Sequence, residues 1–405
     1  MDTAELTALL TPEGLRLLDA TDPVETTADV AAAVTRLRKA GHSPDLVSAV
    51  VGQARLRQKA EAKFGDFATG MLFTRAGLEQ ATRLSVAAHH AHRFRAAGMT
   101  SVADLGCGIG GDAMGFAALG LRVAAVDADE VTAAIAAYNL APFGDLVTVR
   151  HATAEAAASD LPALGNPDAF WLDPARRTAG HGDTTRTASS EWSPPLDWVF
   201  DLASRHPAGV KLGPGMDRDL IPDDVEAQWV SADGSTIELV LWSGALAREG
   251  VRRAALVLRG TSAVELTAPD DCPDEPVRPL GAYIHEPDGA VIRARLIGEV
   301  ARALGAGMLA DRVAYLTSDT ELTSPFVATF RVRETLPTDI RKLGAALRER
   351  GIGRLEIKKR GVDVDPAALR TKLKLRGDGE ATLILTRVAG ARMAILADRL
   401  PAASA

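Results

Sequence analysis

Apolar and polar positions along this chain change their period twice. Over residues 1–62 the apolar positions recur at helical spacing. Leu15, Leu17 and Leu18 follow the start signal Thr11-Pro12-Glu13. Val30, Val34 and Leu37 run up to Gly41, and Leu46, Val47, Val50, Val51 and Leu56 follow Ser43-Pro44. Side chains three and four apart share a helix face, and a hydroxyl residue followed by proline marks a helix start. This stretch therefore predicts a helical region. Its last helix also carries Arg55, Arg57 and Lys59, a basic face that is either simply solvated or touches a nucleic acid.

From residue 100 the period shortens. Apolar runs of strand length at 101–105, 121–126, 146–150, 169–172 and 209–212 alternate with helical patterns such as 130–140. That alternation predicts a mostly parallel sheet covered by helices on both faces. The pattern then turns to a hairpin, 226–231 and 236–242 about Asp233-Gly234, with a further strand at 252–258. Four prolines among acidic residues at 267–279 read as a linker or exposed loop. Beyond it, helical segments (292–304, 337–350, 370–375) mix with strand-like ones (326–333, 354–359, 381–387). The expected organisation is a helical region at 1–62, an α/β domain at 63–260 and an α+β domain at 261–405.

Composition narrows the class. No apolar run reaches the roughly 18 residues of a membrane helix, and the acidic start MDTAELTALL lacks a signal peptide's basic flank. Two cysteines, Cys107 and Cys272, lie far apart without metal-ligand spacing. A cytoplasmic protein with no membrane and no metal partner is expected. The formal net charge of −7 argues against a general nucleic-acid coat, but the charge is uneven: residues 341–376 hold 12 basic and 4 acidic residues, +8, leaving −15 elsewhere. Lys358, Lys359 and Arg360 lie at the centre of that patch. Such polarity suits a module gripping a phosphate backbone, though a solvated helix face would look the same.

The chemistry concentrates at residues 100–120, TSVADLGCGIGGDAMGFAALG. A strand ends on Asp104, then a glycine-dense turn (Gly106, Gly108, Gly110, Gly111) opens a helix. Glycines admit a tight turn and close approach of a ligand, and the helix start directs free N–H groups into the same space. Gly106, Gly108 and Gly111 also satisfy the dinucleotide pattern G-x-G-x-x-G, with Asp127 placed as its ribose acid. Three strand-end acids favour S-adenosylmethionine instead. Asp104 would repel a pyrophosphate yet suits an ammonium. Asp127, in VDAD, suits two ribose hydroxyls. Asp173, in Asp173-Pro174-Ala175-Arg176, ends the fourth strand, and ligands of open α/β sheets collect at carboxyl ends of strands. Each acid taken alone would also serve as a helix cap.

With DLGCGIGG, VDAD and DPAR in hand, residues 63–258 resemble the class I S-adenosylmethionine-dependent methyltransferases. LFTRAGLEQATR, GGDAMGFA, Asn139 and FWLDPARR are similar to trimethylguanosine-synthase-like RNA methyltransferases. GRLEIKKRGVDVDPAALRTKLKLRG with EATLILTRV resembles a THUMP-like domain, a relative of RNA-binding modules. The fold so implied is a Rossmann-like α/β sheet, mostly parallel and ending in an antiparallel hairpin, between an N-terminal helical region and a C-terminal α+β domain. The resemblance further implies that Asp104, Gly106, Gly108 and Gly110 hold the methionine part of the cofactor. By the same resemblance Asp127 holds the ribose, Ala128 flanks the adenine, and Thr153 stands where an acid often meets the adenine amine. Asp173 and the carbonyl of Pro174 would face the methyl acceptor.

For an exocyclic amine, two oxygen acceptors at Asp173 and Pro174 would orient the nitrogen lone pair, and Asp173 would take the departing proton. Ala175 and Arg176 replace the proline and aromatic of the usual amine motif, so no ring follows directly to stack a base; Trp192 or Trp198, beyond the polar loop at 177–190, would either supply one or pack in the core. Arg176 and Arg177 either clamp an anionic group or form a structural ion pair. Lys211, at the end of the fifth strand, lies near the same crevice and is a candidate substrate contact. The expected activity is methylation of a nucleobase amine in a structured RNA. An NAD(P)-dependent oxidoreductase, a non-catalytic RNA-binding protein with a retained cofactor fold, and a small-molecule methyltransferase are the alternatives.

Overall fold

A computed structural model describes residues 1–176, 192–388 and 390–401, which form two compact units. The first, residues 1–211 with 242–247, begins with four helices: α1 (Thr3–Leu9), α2 (Pro12–Asp19), α3 (Thr27–Lys39) and α4 (Pro44–Phe64). Their starts are set by local chemistry. Asp2 with Glu5, and Thr26 with Asp29, form reciprocal capping boxes; Thr11 and Ser43 cap α2 and α4, each followed by proline. Leu9, Leu18, Leu37, Val47 and Val50 close their core.

Then come α5 (Arg75–Gln80), α6 (Leu84–Ala96), β1 (Ser101–Leu105), α7 (Gly111–Ala118), β2 (Arg122–Asp127), α8 (Glu130–Leu140), β3 (Val147–His151), α9 (Ala154–Ala158) and β4 (Ala169–Leu172). A two-residue pair, β5 (Ala175–Arg176) and β6 (Trp192–Ser193), precedes α10 (Leu196–Arg205) and β7 (Ala208–Leu212). The strands lie in the order β7-β4-β1-β2-β3, every pair parallel. After β3 the chain returns to the other side of β1, so the order reverses between β1 and β4. Open α/β sheets bind ligands at such a point. Beneath it lies an aromatic cluster: the rings of Phe94, Phe116, Trp171 and Trp242 stand 4.8–6.3 Å apart, all fully buried.

The second unit, 212–241 with 248–405, holds β8 (Glu226–Ala232) and most of β9 (Ser235–Ser243), neighbours joined through Asp233 and Gly234, both at positive φ. This is the expected antiparallel hairpin. β8 pairs in parallel with β10 (Arg253–Arg259), which pairs antiparallel with β11 (Ser262–Ala268), so one hairpin spans residue 260. Next are β12 (Tyr283–Pro287), α11 (Gly289–Arg293), α12 (Ile297–Ala303), β13 (Gly307–Ala310), β14 (Val313–Ser318), β15 (Val327–Leu336), α13 (Ile340–Glu349), β16 (Ile352–Lys359), α14 (Pro366–Leu373), β17 (Gly379–Val388) and β18 (Ala391–Arg399). Their sheet runs β13-β14-β12-β15-β18-β17-β16 and is antiparallel except for β16 with β17, which α14 connects. Alternation sorts its two faces. Leu383 and Leu385 meet Leu343, Leu347, Leu369 and Leu373 of α13 and α14, whereas Ile384 joins Tyr315, Phe330 and Ile395.

Among the described residues no helix is long and apolar enough to cross a membrane, and no group of three or more His, Cys, Asp or Glu side chains could hold a metal ion.

Gly115 tests the packing that carries the sheet. A Cβ there would lie 2.8 Å from the Ala87 carbonyl oxygen of α6. Alanine within a helix ordinarily gains about 1 kcal/mol over glycine. Here the overlap is with backbone that cannot step aside, so Gly115→Ala is expected to lower stability by about 1–3 kcal/mol in urea unfolding. A stabilised variant would show that α6 and α7 are not so closely set.

Candidate active site

The β1 strand delivers Asp104 into a fully buried position, and the turn beyond it is built from glycines for separate reasons. Gly106, Gly108 and Gly110 adopt φ of +99°, +55° and +93°. A Cβ on Gly106 would lie 3.1 Å from the Asp173 carbonyl oxygen, and one on Gly110 would lie 3.1 Å from the Leu140 side chain. These two let β4 and α8 close in on the turn. A Cβ on Gly108 would meet nothing within 4 Å, so Gly108 faces open space. Backbone N–H groups of Gly106 and Cys107 donate to the Val126 carbonyl at 2.9 Å, and that of Gly108 donates to Asp127 Oδ2 at 2.9 Å. The turn is thus laced to the end of β2.

Asp104 is 1% exposed, and among the described residues neither carboxyl oxygen receives a hydrogen bond. Burial, then the negative charges of Asp112 and Asp173, push its carboxyl well above the usual carboxylate range, against the opposing pull of Lys211. A buried carboxylate without a partner is costly, and a cation placed beside it removes that cost. The α-ammonium of a methionine moiety supplies such a cation, so the donor set fits S-adenosylmethionine. Asp127 is half-buried, and burial raises its carboxyl although the N–H groups of Asp129 and Gly108 oppose it. Burial, with Asp104 and Asp127 nearby, also pushes the Cys107 thiol well up, away from the thiolate form that a nucleophile needs.

Behind Asp173 lies a network that sequence reasoning missed. The Lys211 ammonium sits 2.6 Å from Asp173 Oδ2 and 3.6 Å from Asp112 Oδ2, and donates to Thr82 Oγ1 at 2.8 Å. Asp112 accepts from Thr82 Oγ1 at 2.7 Å and stands 2.8 Å from His90 Nδ1. Lys211, Asp112, Thr82 and His90 are all buried, and the His90 ring lies 4.4 Å from that of Trp171. Burial alone would raise the Asp112 carboxyl. Lys211, His90 and the Thr82 hydroxyl overcome it and hold that group well below the usual range. The available signal was the acid that opens α7 directly after the glycine turn, in GGDAM.

The remaining predicted residues fall in several places. Pro174 is buried beside the one-third-exposed Asp173. Ala128 is exposed, and its carbonyl lies 3.1 Å from His151 Nε2. The Thr153 hydroxyl caps α9 by accepting from the Ala156 N–H at 3.2 Å. The Arg176 backbone pairs with Trp192 in the small β5–β6 ribbon, and Arg177 lies outside the described residues. In the second unit, Lys358 and Arg360 both reach Glu286, at 2.9 and 3.5 Å, while Lys359 is exposed. Asn139 proves to be a clamp: it accepts from the Leu72 N–H and donates to the carbonyls of Leu72 and Ile109, tying residues 71–73 to the glycine turn.

The reversal of strand order between β1 and β4, where acids end β1, β2 and β4 around a glycine turn, fits the class I methyltransferases. Comparison with known proteins agrees. The chain is 34% identical over 362 residues to a protein of Mycobacterium tuberculosis, in strains CDC 1551 / Oshkosh and H37Rv, named an uncharacterized S-adenosylmethionine-dependent methyltransferase. The match covers 87% of this chain and 95% of that protein. This chain therefore belongs to the S-adenosylmethionine-dependent methyltransferases, and S-adenosylmethionine is its cofactor. A crystal structure from Porphyromonas gingivalis W83, whose methyltransferase assignment is itself a proposal, superposes with a TM-score of 0.71 at 21% identity, over 93% of this chain and 99% of that one. It shares the fold. Residues 327–399 match the THUMP domain-like family, and residues 2–60 match a domain of unknown function, DUF8688.

A cofactor ammonium placed beside Asp104 would make binding pH-dependent. The Asp104 carboxyl holds a proton above the usual range in the free protein and must release it to pair with an ammonium. Affinity for S-adenosylhomocysteine is therefore expected to rise as pH rises through the Asp104 pKa, with net proton release. Calorimetry in buffers of different ionisation heats reads this directly. Asp104→Asn should weaken binding about tenfold or more and abolish the proton release. Unchanged release in that variant would assign it to another group.

Proposed function

We propose that this methyltransferase acts on an exocyclic amine of a base in a structured RNA. The observation that carries the proposal is the Asp173 carboxylate at the carboxyl end of β4, fixed at 2.6 Å by the Lys211 ammonium and followed by Pro174. Bound S-adenosylmethionine supplies an electrophilic methyl group. The protein's share is orientation: Asp173 and the Pro174 carbonyl accept the two amine hydrogens, which turns the nitrogen lone pair toward that methyl. The nitrogen then sheds a proton, and Asp173 is the acceptor at hand. Lys211, anchored from behind by Asp112 and Thr82, holds Asp173 in place and offsets its charge. In this reading it is a positioning residue and does not touch substrate.

RNA as the substrate rests on the THUMP domain-like match and on the charges of the second unit. Of the basic residues at 341–376, Arg350 pairs with Glu334, Arg354 with Glu380, and Lys358 and Arg360 with Glu286. Arg348 and Arg370 are engaged on the carbonyls of Leu373 and Leu355. Arg341, Lys342, Lys359, Lys372, Lys374 and Arg376 are exposed and have no such partner among the described residues. Lys372 and Lys374 adjoin Leu373 at the end of α14, whose carbonyl accepts from the Arg348 guanidinium of α13. We assign the phosphate contacts to this edge in preference to Lys358 and Arg360.

Transfer of labelled methyl groups to total RNA from a strain lacking the gene tests the reaction. Asp173→Asn is expected to lower kcat about 100-fold or more with S-adenosylhomocysteine affinity retained. Lys211→Met should lower kcat while leaving KM nearly unchanged, and Lys211→Arg should restore part of it. Methylation of a small-molecule extract but of no RNA would overturn the substrate.

Reversing Lys372 and Lys374 to Glu is expected to weaken RNA binding about tenfold and to flatten its salt dependence. If Lys358→Gln does the same and the Lys372/Lys374 variant does not, the contact edge is wrongly assigned.

A further inference from the structure

The N-terminal helices line an open hollow of about 370 Å³ that the methyl-transfer site does not use. One wall is a single face of α4, where Ser48, Val51, Gly52, Arg55 and Lys59 recur at helical spacing; Val30 and Val34 of α3 form the other. Leu56 and Val51 complete an apolar floor. Arg75, the first residue of α5, closes the rim. Arg55, Lys59 and Arg75 are exposed, and none makes an ion pair among the described residues. The nearby acid Glu5 is engaged by the Ser48 hydroxyl at 2.6 Å and lies 3.7 Å from the Met1 amino group. Three cations thus converge on an apolar hollow without a negative partner.

Gly52 sharpens the case. It lies inside the 21-residue α4, where glycine is the least favourable residue after proline, and a Cβ there would meet nothing within 4 Å. No neighbour in the fold demands a glycine at this position. What the missing side chain does is deepen the pocket. The position also matters relative to the cofactor. Two residues after Arg75, a Cβ on Gly77 would lie 2.5 Å from Ile109 of the glycine turn, so α5 is a wall common to the pocket rim and the cofactor loop.

We propose that this pocket holds one unpaired nucleotide of the RNA substrate, its base on the aliphatic floor and its phosphates on Arg55, Lys59 and Arg75. The volume is that of a small ligand pocket, and cations around an apolar hollow match a base carrying phosphate. The inference rests on the RNA reading above. It adds to that reading a second contact in the first unit, independent of the basic edge at 341–376. The domain of unknown function at 2–60 thereby acquires a role in substrate capture.

The test is fluorescence anisotropy with a labelled RNA hairpin carrying a single-stranded tail, with S-adenosylhomocysteine calorimetry as the control for an intact fold. Arg55→Glu with Lys59→Glu is expected to raise the Kd for RNA at least tenfold and leave S-adenosylhomocysteine binding unchanged. Gly52→Leu fills the hollow without touching a charge. It should raise the melting temperature, raise the Kd for the tailed hairpin at least fivefold, and leave binding of the same hairpin without its tail within twofold. If Gly52→Leu leaves the tailed hairpin within twofold of wild type, the pocket proposal fails and the RNA reading stands. A wild-type protein that binds no RNA at low salt overturns both. Displacement of adenosine monophosphate by Gly52→Leu, with RNA affinity unaltered, would make the pocket an effector site and overturn the proposal.

Discussion

The active site depends on one buried ammonium. Asp104, Asp112 and Asp173 all lie near the point where the sheet order reverses, and mutual repulsion among buried carboxylates is severe at low dielectric. Lys211 enters from β7 and meets two of them, at 2.6 and 3.6 Å. Asp112 is fully engaged by it, by His90 and by Thr82. Among the described residues Asp104 receives no hydrogen bond. Two acids are thus compensated within the protein and the third is not. A cofactor that is cationic at both its sulfonium and its ammonium would supply the missing counter-charge.

The same arrangement explains which parts were legible in the sequence. Strand-end acids and glycines act through the backbone that bears them, so Asp104, Gly106, Gly108, Asp127 and Asp173 stood out from local pattern alone. The alternation of apolar runs likewise revealed the parallel strands, because a strand buried on both faces writes itself as a continuous apolar run. The Lys211–Asp112–Thr82–His90 network was not legible. Its members come from β7, α7, the segment before α6, and α6 itself, and only the fold brings residues 129 positions apart to 2.8 Å. Lys211 was noticed for its place at a strand end, but its role as a partner of two acids required three dimensions.

Charge was misleading in a related way. A count of basic residues treats Lys358 and Lys374 alike. The fold separates them: Lys358 lies on β16, where Glu286 of β12 reaches it at 2.9 Å, whereas Lys374 follows the end of α14 in the left-handed conformation and pairs with no acid among the described residues. The Asp, Glu and Arg residues of the sheet largely neutralise one another, as at Arg399 with Glu356 and Arg333 with Asp398. What remains for a polyanion is the helical edge. Composition locates a basic domain, and only pairing locates its free charge.

The distribution of aromatic residues then constrains how any nucleic acid would be read. No aromatic follows Phe330 in the chain, and Trp171, Trp242, Phe94 and Phe116 are buried under the sheet. Stacking platforms for single strands are built from exposed rings. In the second unit, where no ring follows Phe330 and the unpaired cations lie at helix edges, the equipment is for holding backbone and shape. Selection of the methylated base would then fall to the acceptor pair at Asp173 and Pro174, which fits an amine with two hydrogens to donate and rejects a carbonyl. Affinity and chemical selectivity would thus reside in different residues of the chain. Weakening the first should cost binding across all RNAs alike, and altering the second should change which base is modified.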